Sequence, residues 1–224
     1  MLQDLHEISD GKIYGINDMV RAACRDCEGC HACCEQMGDS IVLDPLDVFR
    51  LTKATGKNFE ALLADTIELH VTDGLILPSL KMAGENERCV FLDEAGRCSI
   101  HALRPGLCRA FPLGRIYEER QIRYFLQADA CRRPGKSKVK VGRWLDASEP
   151  KKYEQFLLAW HGLRGSMQKR LTDMWNEQTA KTANMLILNL FFANLFREEM
   201  DFYVQFENRM EQAKRALGIA PGRE

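Results

Sequence analysis

Five of the nine cysteines lie within eleven residues, in the run Cys24-Arg-Asp-Cys27-Glu-Gly-Cys30-His-Ala-Cys33-Cys34. Gaps of two residues let one turn aim two thiolates at a single metal. Soft thiolate donors select zinc or iron–sulfur chemistry over calcium or magnesium. Cysteines return downstream at Cys89, Cys98, Cys108 and Cys131. The supply of donors therefore suffices for one cluster or for more than one metal.

The surroundings of these residues separate ligation from packing. A cysteine that fills a core sits on an apolar face, whereas Cys24 to Cys34 stand among Arg, Asp, Glu, Gly and His. Disulfide pairing is the weaker reading. The first ten residues have no basic start and no apolar run, which predicts no secretory leader and a cytoplasmic, reducing location. Nine is also an odd number to pair. The longest apolar stretch, Met185 to Phe196, is interrupted by Asn189 and Asn194. It is too short to cross a bilayer and predicts a buried helix, with no membrane partner. A formal net charge of −1 gives the whole chain no bias toward nucleic acid.

The elements that must position the cysteines follow from the flanking patterns. Residues 1–20 read as a short helix or an ordered lead-in, and the cysteine run as turns. Asp44 can cap a helix that has Pro45 at its first position and Asp47 in its first turn. Its apolar stripe is Leu46, Phe49, Leu51 and Ala54, and Gly56 stops it. A second helix starts at Asn58, with Phe59, Leu62, Leu63 and Ile67 apolar. Residues 71–92 read as extended structure and turns. Two short apolar arms flank Asp93 to Gly96, so Cys89 and Cys98 are expected to face each other across a hairpin. A second hairpin, Arg115 to Tyr117 against Ile122 to Leu126, returns the chain toward Cys131. From Pro150, the residues Tyr153, Phe156, Leu157, Trp160, Leu163, Met167, Leu171 and Met174 recur at helical spacing for about six turns. Another helix is predicted from about Thr182 to Leu217, antiparallel to the first. The expected fold class is α+β, mainly α. An irregular, metal-nucleated cysteine module with short hairpins over residues 20–145 carries a helical pair over residues 150–217 packed on it.

From Cys27 onward the pattern is Cys27-x2-Cys30-x2-Cys33-Cys34, then Cys89. Next comes Cys98-Ser-Ile-His-Ala-Leu-Arg104-Pro105-Gly-Leu-Cys108-Arg109-Ala-Phe111-Pro112, and finally Cys131. This resembles the YkgJ-like cysteine-cluster family, a zinc- or iron-chelating domain whose signature is a CxxCxxCC run. The run is followed by two single cysteines and an Arg-Pro-x-x-Cys-Arg-x-Phe-Pro segment. One branch of that family is the flagellin lysine N-methylase. The resemblance spans about residues 24–135 and implies Cys27, Cys30, Cys33, Cys34, Cys89, Cys98, Cys108 and Cys131 as the metal ligands, with Cys24 extra to the run. It leaves the activity open.

Arg104 and Arg109 bracket Cys108 and are expected beside the centre, where guanidinium groups would offset the charge of several thiolates. Phe111 is expected to shield it from water. His31 and His101 read as neighbours of the ligands rather than as ligands. An iron–sulfur cluster of the 4Fe–4S type is preferred over zinc, because the two-residue gaps are close to those of bacterial ferredoxins. That pattern's three-residue gap and closing Cys-Pro are missing. The expected role is electron transfer or cluster-dependent modification. The alternatives are a zinc-stabilised, non-catalytic interaction or metal-handling module and a protein-lysine N-methylase. S-adenosylmethionine remains possible for the methylase, but there is no GxGxxG to hold it, nor a Walker loop, GxSxG or HExxH.

Arg132, Arg133, Lys136, Lys138, Lys140 and Arg143 form a basic stretch. It reads first as a solvated loop and second as a docking strip for an acidic partner, a phosphate or RNA. Aromatic residues are absent from it until Trp144, so nucleic acid is the weaker partner. A protein partner or substrate is expected, and its identity is not readable from the sequence.

Overall fold

The computed structural model describes residues 7–23, 30–131, 134–145, 147–173 and 176–219. Cys24, Cys27, Arg132, Arg133 and Met174 lie outside them. In chain order the strands are β1 (Ser9–Tyr14), β2 (Met19–Ala23), β3 (Ile67–Thr72), β4 (Leu75–Leu80), β5 (Met82–Ala83), β6 (Arg88–Cys89), β7 (Leu113–Tyr117), β8 (Ile122–Gln127) and β9 (Ser137–Lys140). The helices are α1 (Pro45–Thr55), α2 (Phe59–Asp65), α3 (Gly106–Ala110), α4 (Val141–Trp144), α5 (Pro150–Asp173), α6 (Glu177–Leu188) and α7 (Phe202–Ala216). The architecture is mixed helix and sheet, with four small sheets among the described residues.

The chain folds into two compact units. The first comprises Met1–Ile41 and Met82–Leu158, the second Val42–Lys81 and Ala159–Glu224. The sequence reading divides the chain at a single point, 20–145 against 150–217. The compact units do not follow chain order, because residues 42–81 group with the C-terminal helices.

In the first unit, β8 is central to an antiparallel sheet of order β1-β8-β7. The β7–β8 hairpin is the one expected, with Leu113 opposite Leu126 and Tyr117 opposite Ile122. The Glu118 N–H donates to the Gln121 carbonyl at 3.0 Å and closes its turn. Gly114 faces Phe125 across the strands. A Cβ at position 114 would fall 2.1 Å from the Phe125 ring, so only glycine lets that ring lie over β7. The N-terminal segment differs from expectation. Residues from Ser9 onward are strands rather than a helix, because β1 is recruited by β8 and β2 by β9. Such partners lie more than a hundred residues away, beyond the reach of local periodicity.

In the second unit most local signals hold, although Ile67, expected on the second helix, opens β3 instead. Asp44 and Asp47 form a reciprocal capping box around α1, with side chain to backbone distances of 2.9 and 3.2 Å. Gly56 ends α1 in the left-handed conformation, and the Asn58 side chain caps α2. β3 and β4 pair from Ile67 opposite Leu80 to Thr72 opposite Leu75. Their two-residue turn, Asp73-Gly74, has positive φ at both positions, which matches the twist of the strands.

The C-terminal region corrects the expectation of one helix from Thr182 to Leu217. Helix α6 gives way to a π-helical turn, Asn189–Ala193, and α7 starts only at Phe202. The π turn places Phe191 and Phe192 together in the core, with ring centroids 5.1 and 5.9 Å from Trp160. Arg209 then occupies the break. Its guanidinium donates to the carbonyls of Leu190 (2.7 Å), Asn194 and Leu195 (2.8 Å), and lies 3.8 Å from the Phe196 ring centroid. Asp201 caps α7 by accepting from the N–H groups of Tyr203 and Val204. Apolar residues continue on both sides of the break, so periodicity alone runs through it. Among the described residues no helix is long and apolar enough to cross a membrane.

Asn184 ties α6 to the β3–β4 hairpin. Its Oδ1 accepts from the Ile76 N–H at 2.7 Å and its Nδ2 donates to the Ala180 carbonyl at 3.0 Å. Replacing Asn184 with Ala leaves a strand N–H without its acceptor, and the expected cost is about 1–3 kcal/mol. Urea unfolding of the variant against the parent chain checks this. An unchanged midpoint would mean that the bond contributes nothing net.

Candidate metal centre

The described cysteines all belong to the first unit. Cys33 and Cys34 lie in a 3-10 turn, Ala32–Cys34, in which the Cys34 N–H donates to the His31 carbonyl at 2.7 Å. The next residue, Glu35, bridges Arg88, and the Gln36 N–H donates to the Glu87 carbonyl at 2.9 Å. This short antiparallel contact carries Cys34 alongside β6, which ends at Cys89. The Glu35 carboxylate lies 3.3 Å from Arg88 Nε across the same contact.

Cys98 arrives through the turn that starts at Asp93. The expected hairpin is present in reduced form, as a single bridge between Leu92 and Cys98 rather than two strands. Asp93 organises it. Its N–H donates to the Arg97 carbonyl at 2.9 Å, and its side chain accepts from the Arg97 N–H at 2.8 Å. Gly96 has φ +70, and a Cβ there would lie 2.8 Å from His31 Nδ1. His31 therefore packs over this turn, which agrees with its reading as a neighbour of the ligands. Beyond Cys98 a 3-10 turn, His101–Leu103, leads through Arg104 and Pro105 into α3, which holds Cys108.

The thiols of Cys33, Cys34, Cys89, Cys98 and Cys108 lie close enough for their charges to interact. The Cys34 thiol donates to Cys33. That bond, with a further contribution from the Arg104 guanidinium, brings Cys33 down to about 7 from an ordinary value of 9.0. Cys34 moves far upward, because losing its proton would break the bond, and burial and the neighbouring thiolates oppose ionisation as well. Burial raises Cys89 and Cys98. Each sulfur is met by a backbone group two residues on, Phe91 for Cys89 and Ile100 for Cys98, whose hydrogen bond favours the thiolate. Cys30 and Cys131 are half-buried. Cys131 stands beyond β8, and its carbonyl accepts from Lys136 Nζ at 2.6 Å.

The two arginines divide the work. Arg104 faces the thiols, its charge acting on Cys33 and Cys98, while its Nη1 lies 3.0 Å from the His101 carbonyl and 2.8–2.9 Å from the His101 ring nitrogens. Arg109 is buried, and its Nε donates to the Arg104 carbonyl at 3.0 Å and its Nη2 to the Ala102 carbonyl. It clamps the bend that presents Arg104. Arg115 has a comparable part that the sequence did not flag. Its Nη2 donates to the Gly106 carbonyl at the start of α3 and to the Tyr153 hydroxyl, at 3.0 and 2.9 Å. An arginine in an otherwise ordinary strand carries no local signal of that task.

The donor chemistry suits a thiolate-bound metal: the interacting groups are soft sulfurs, backbone donors meet two of them, and the Arg104 guanidinium acts on Cys33 and Cys98. Among the described residues no three His, Cys, Asp or Glu side chains form a ready set around one ion. Metal uptake would exchange the Cys34-to-Cys33 hydrogen bond for sulfur–metal bonds and release protons.

In metal-free, reduced protein Cys33 is expected to react with iodoacetamide fastest of the five. The rate should rise with pH and reach half its maximum near pH 7, since the thiolate forms as pH passes the lowered value. Cys34→Ala removes the donor and should move that midpoint upward. Mass spectrometry of the alkylated peptides reads both, and a midpoint near that of a free thiol would exclude the Cys34 contact.

Neither the curated proteins nor the solved structures provide a match to this chain. The family comparison does, over residues 26–138, half of the sequence. With its thiols gathered as described, the chain belongs to the CxxCxxCC family, whose description is "Putative zinc- or iron-chelating domain".

Proposed function

We propose that the cysteine module holds an iron–sulfur cluster of the 4Fe–4S type and serves electron transfer or a cluster-dependent modification. The observation that carries this reading is the electrostatic interaction among thiols from four segments, at Cys33-Cys34, Cys89, Cys98 and Cys108, with the charge of Arg104 acting on Cys33 and Cys98. When bound, such a cluster supplies one-electron redox chemistry. The chain's own residues set its surroundings. The Phe91 and Ile100 backbone groups hydrogen-bond the Cys89 and Cys98 sulfurs, and Arg104 offsets negative charge, both of which raise a reduction potential. Arg109 holds Arg104 in place, and Arg115 holds α3 and with it Cys108.

A zinc-stabilised interaction module is the second reading. It is favoured by the turn between Cys89 and Cys98, whose paired sulfurs with backbone donors suit two ligands of one tetrahedral ion.

Iron, zinc and acid-labile sulfide per chain, measured on protein purified without oxygen, separate the two. About four iron and four sulfide with a visible charge-transfer band support the cluster. One or two zinc without sulfide would overturn it in favour of the second reading. Cys89→Ser and Cys108→Ser are each expected to lower the metal content in either case. In the iron–sulfur case, Arg104→Gln should lower the reduction potential while leaving the iron content unchanged.

A further inference from the structure

The basic stretch after Cys131 is only partly a loop. Residues Ser137–Lys140 form β9, which pairs antiparallel with β2, Met19 opposite Lys140 and Val20 opposite Val139. The register shifts between Val20 and Ala23, so the ribbon is bulged beside Arg21. Val20 and Ala22 are buried, at 1% and 0% exposure. Met19, Arg21, Lys138 and Lys140 are exposed. Helix α4 follows directly and adds the exposed Arg143. Bonds from the Val141 N–H to the Asp18 carbonyl (3.0 Å) and from the Gly142 N–H to the Ile16 carbonyl (2.8 Å) hold it against the ribbon.

Arg21, Lys138, Lys140 and Arg143 thus share one edge of the unit. Among the described residues none of the four takes part in an ion pair. The chain as a whole carries a formal charge of −1, so this is a local concentration rather than a general excess. Four unpaired like charges repel one another, and an acidic surface relieves that repulsion. Met19, 49% exposed, supplies an adaptable apolar contact among them.

We propose that the outer face of the β2–β9 ribbon, with Arg21, Lys138, Lys140 and Arg143 around Met19, docks an acidic redox protein beside the cysteine module. The redox character of the partner rests on the iron–sulfur reading. Chain connection places the face next to Cys131. β2 runs directly into the cysteine run in sequence, and Lys136, just before β9, binds the Cys131 carbonyl at 2.6 Å. Nucleic acid fits less well, because the face offers no aromatic ring for base stacking. Trp144, which follows Arg143 in sequence, is half-buried and donates its indole N–H to the Ala110 carbonyl at 3.2 Å.

The test uses the full chain purified without oxygen and a plant-type [2Fe–2S] ferredoxin as the acidic probe. Binding is measured calorimetrically at low and near-physiological salt, and electron transfer from the reduced probe by stopped flow. Arg21→Glu/Lys138→Glu/Lys140→Glu is expected to weaken binding on the order of tenfold or more at low salt, and added salt to weaken the parent complex similarly. The neutral Arg21→Gln/Lys138→Gln/Lys140→Gln variant should fall between, with metal content and circular dichroism unchanged in both. Equal affinity of parent and variants, or tighter binding of a 20-nucleotide RNA that displaces the probe, would overturn the proposal. Charge-dependent binding by protein that contains zinc and no sulfide would retain the docking face and reject the iron–sulfur reading.

Discussion

Bringing several thiols together is the constraint on which the first unit depends. Ionised, they repel, and half-buried as they are, each is costly to charge. The fold meets this by sharing. One proton between Cys33 and Cys34 lets Cys33 ionise while Cys34 does not, and burial keeps Cys89 and Cys98 protonated. The Arg104 guanidinium acts on two of these thiols, Cys33 and Cys98. Coordination by a metal would relieve the same repulsion.

The scaffolding around the thiols is made of turns and of arginines bound to carbonyls. Asp93 and Gly96 shape the turn before Cys98, and the left-handed residues Gln36 and Glu87 flank the contact that joins Cys34 to β6. Arg109 and Arg115 spend their donors on main-chain oxygens of the 102–106 segment. Such irregular backbone has few ladder partners of its own, so side chains must satisfy it. The second unit uses the same device at a different place, where Arg209 covers the carbonyls released by the π turn after α6.

Local chemistry was legible where an element is decided by its neighbours in sequence. The Asp44 and Asn58 caps, Gly56, the α5 stripe and the β7–β8 hairpin all appear where the residues indicate them. The break after α6 was not legible. Phe191, Phe192, Phe196, Phe202 and Phe206 keep an apolar rhythm through it, and only packing against Trp160 shows that two consecutive phenylalanines must face inward. β1 and β2 were missed because their partners, β8 and β9, come from the far side of the cysteine module. The membership of residues 42–81 in the unit of the C-terminal helices has the same cause, since Asn184 bonds a strand more than a hundred residues earlier.

The sequence by itself determined that this chain is a thiolate protein. Spacing and residue type specify donor softness, and the CxxCxxCC pattern with its Arg-Pro-x-x-Cys-Arg-x-Phe-Pro segment identifies the family. It also marked Arg104 and Arg109 without telling them apart. Tertiary structure alone decided that the charge of Arg104 acts on Cys33 and Cys98 while Arg109 braces the bend behind it, which thiols share a proton, and that a basic stretch becomes one strand of a ribbon. These are matters of direction and distance between groups far apart in the chain, and residue spacing carries no information about either.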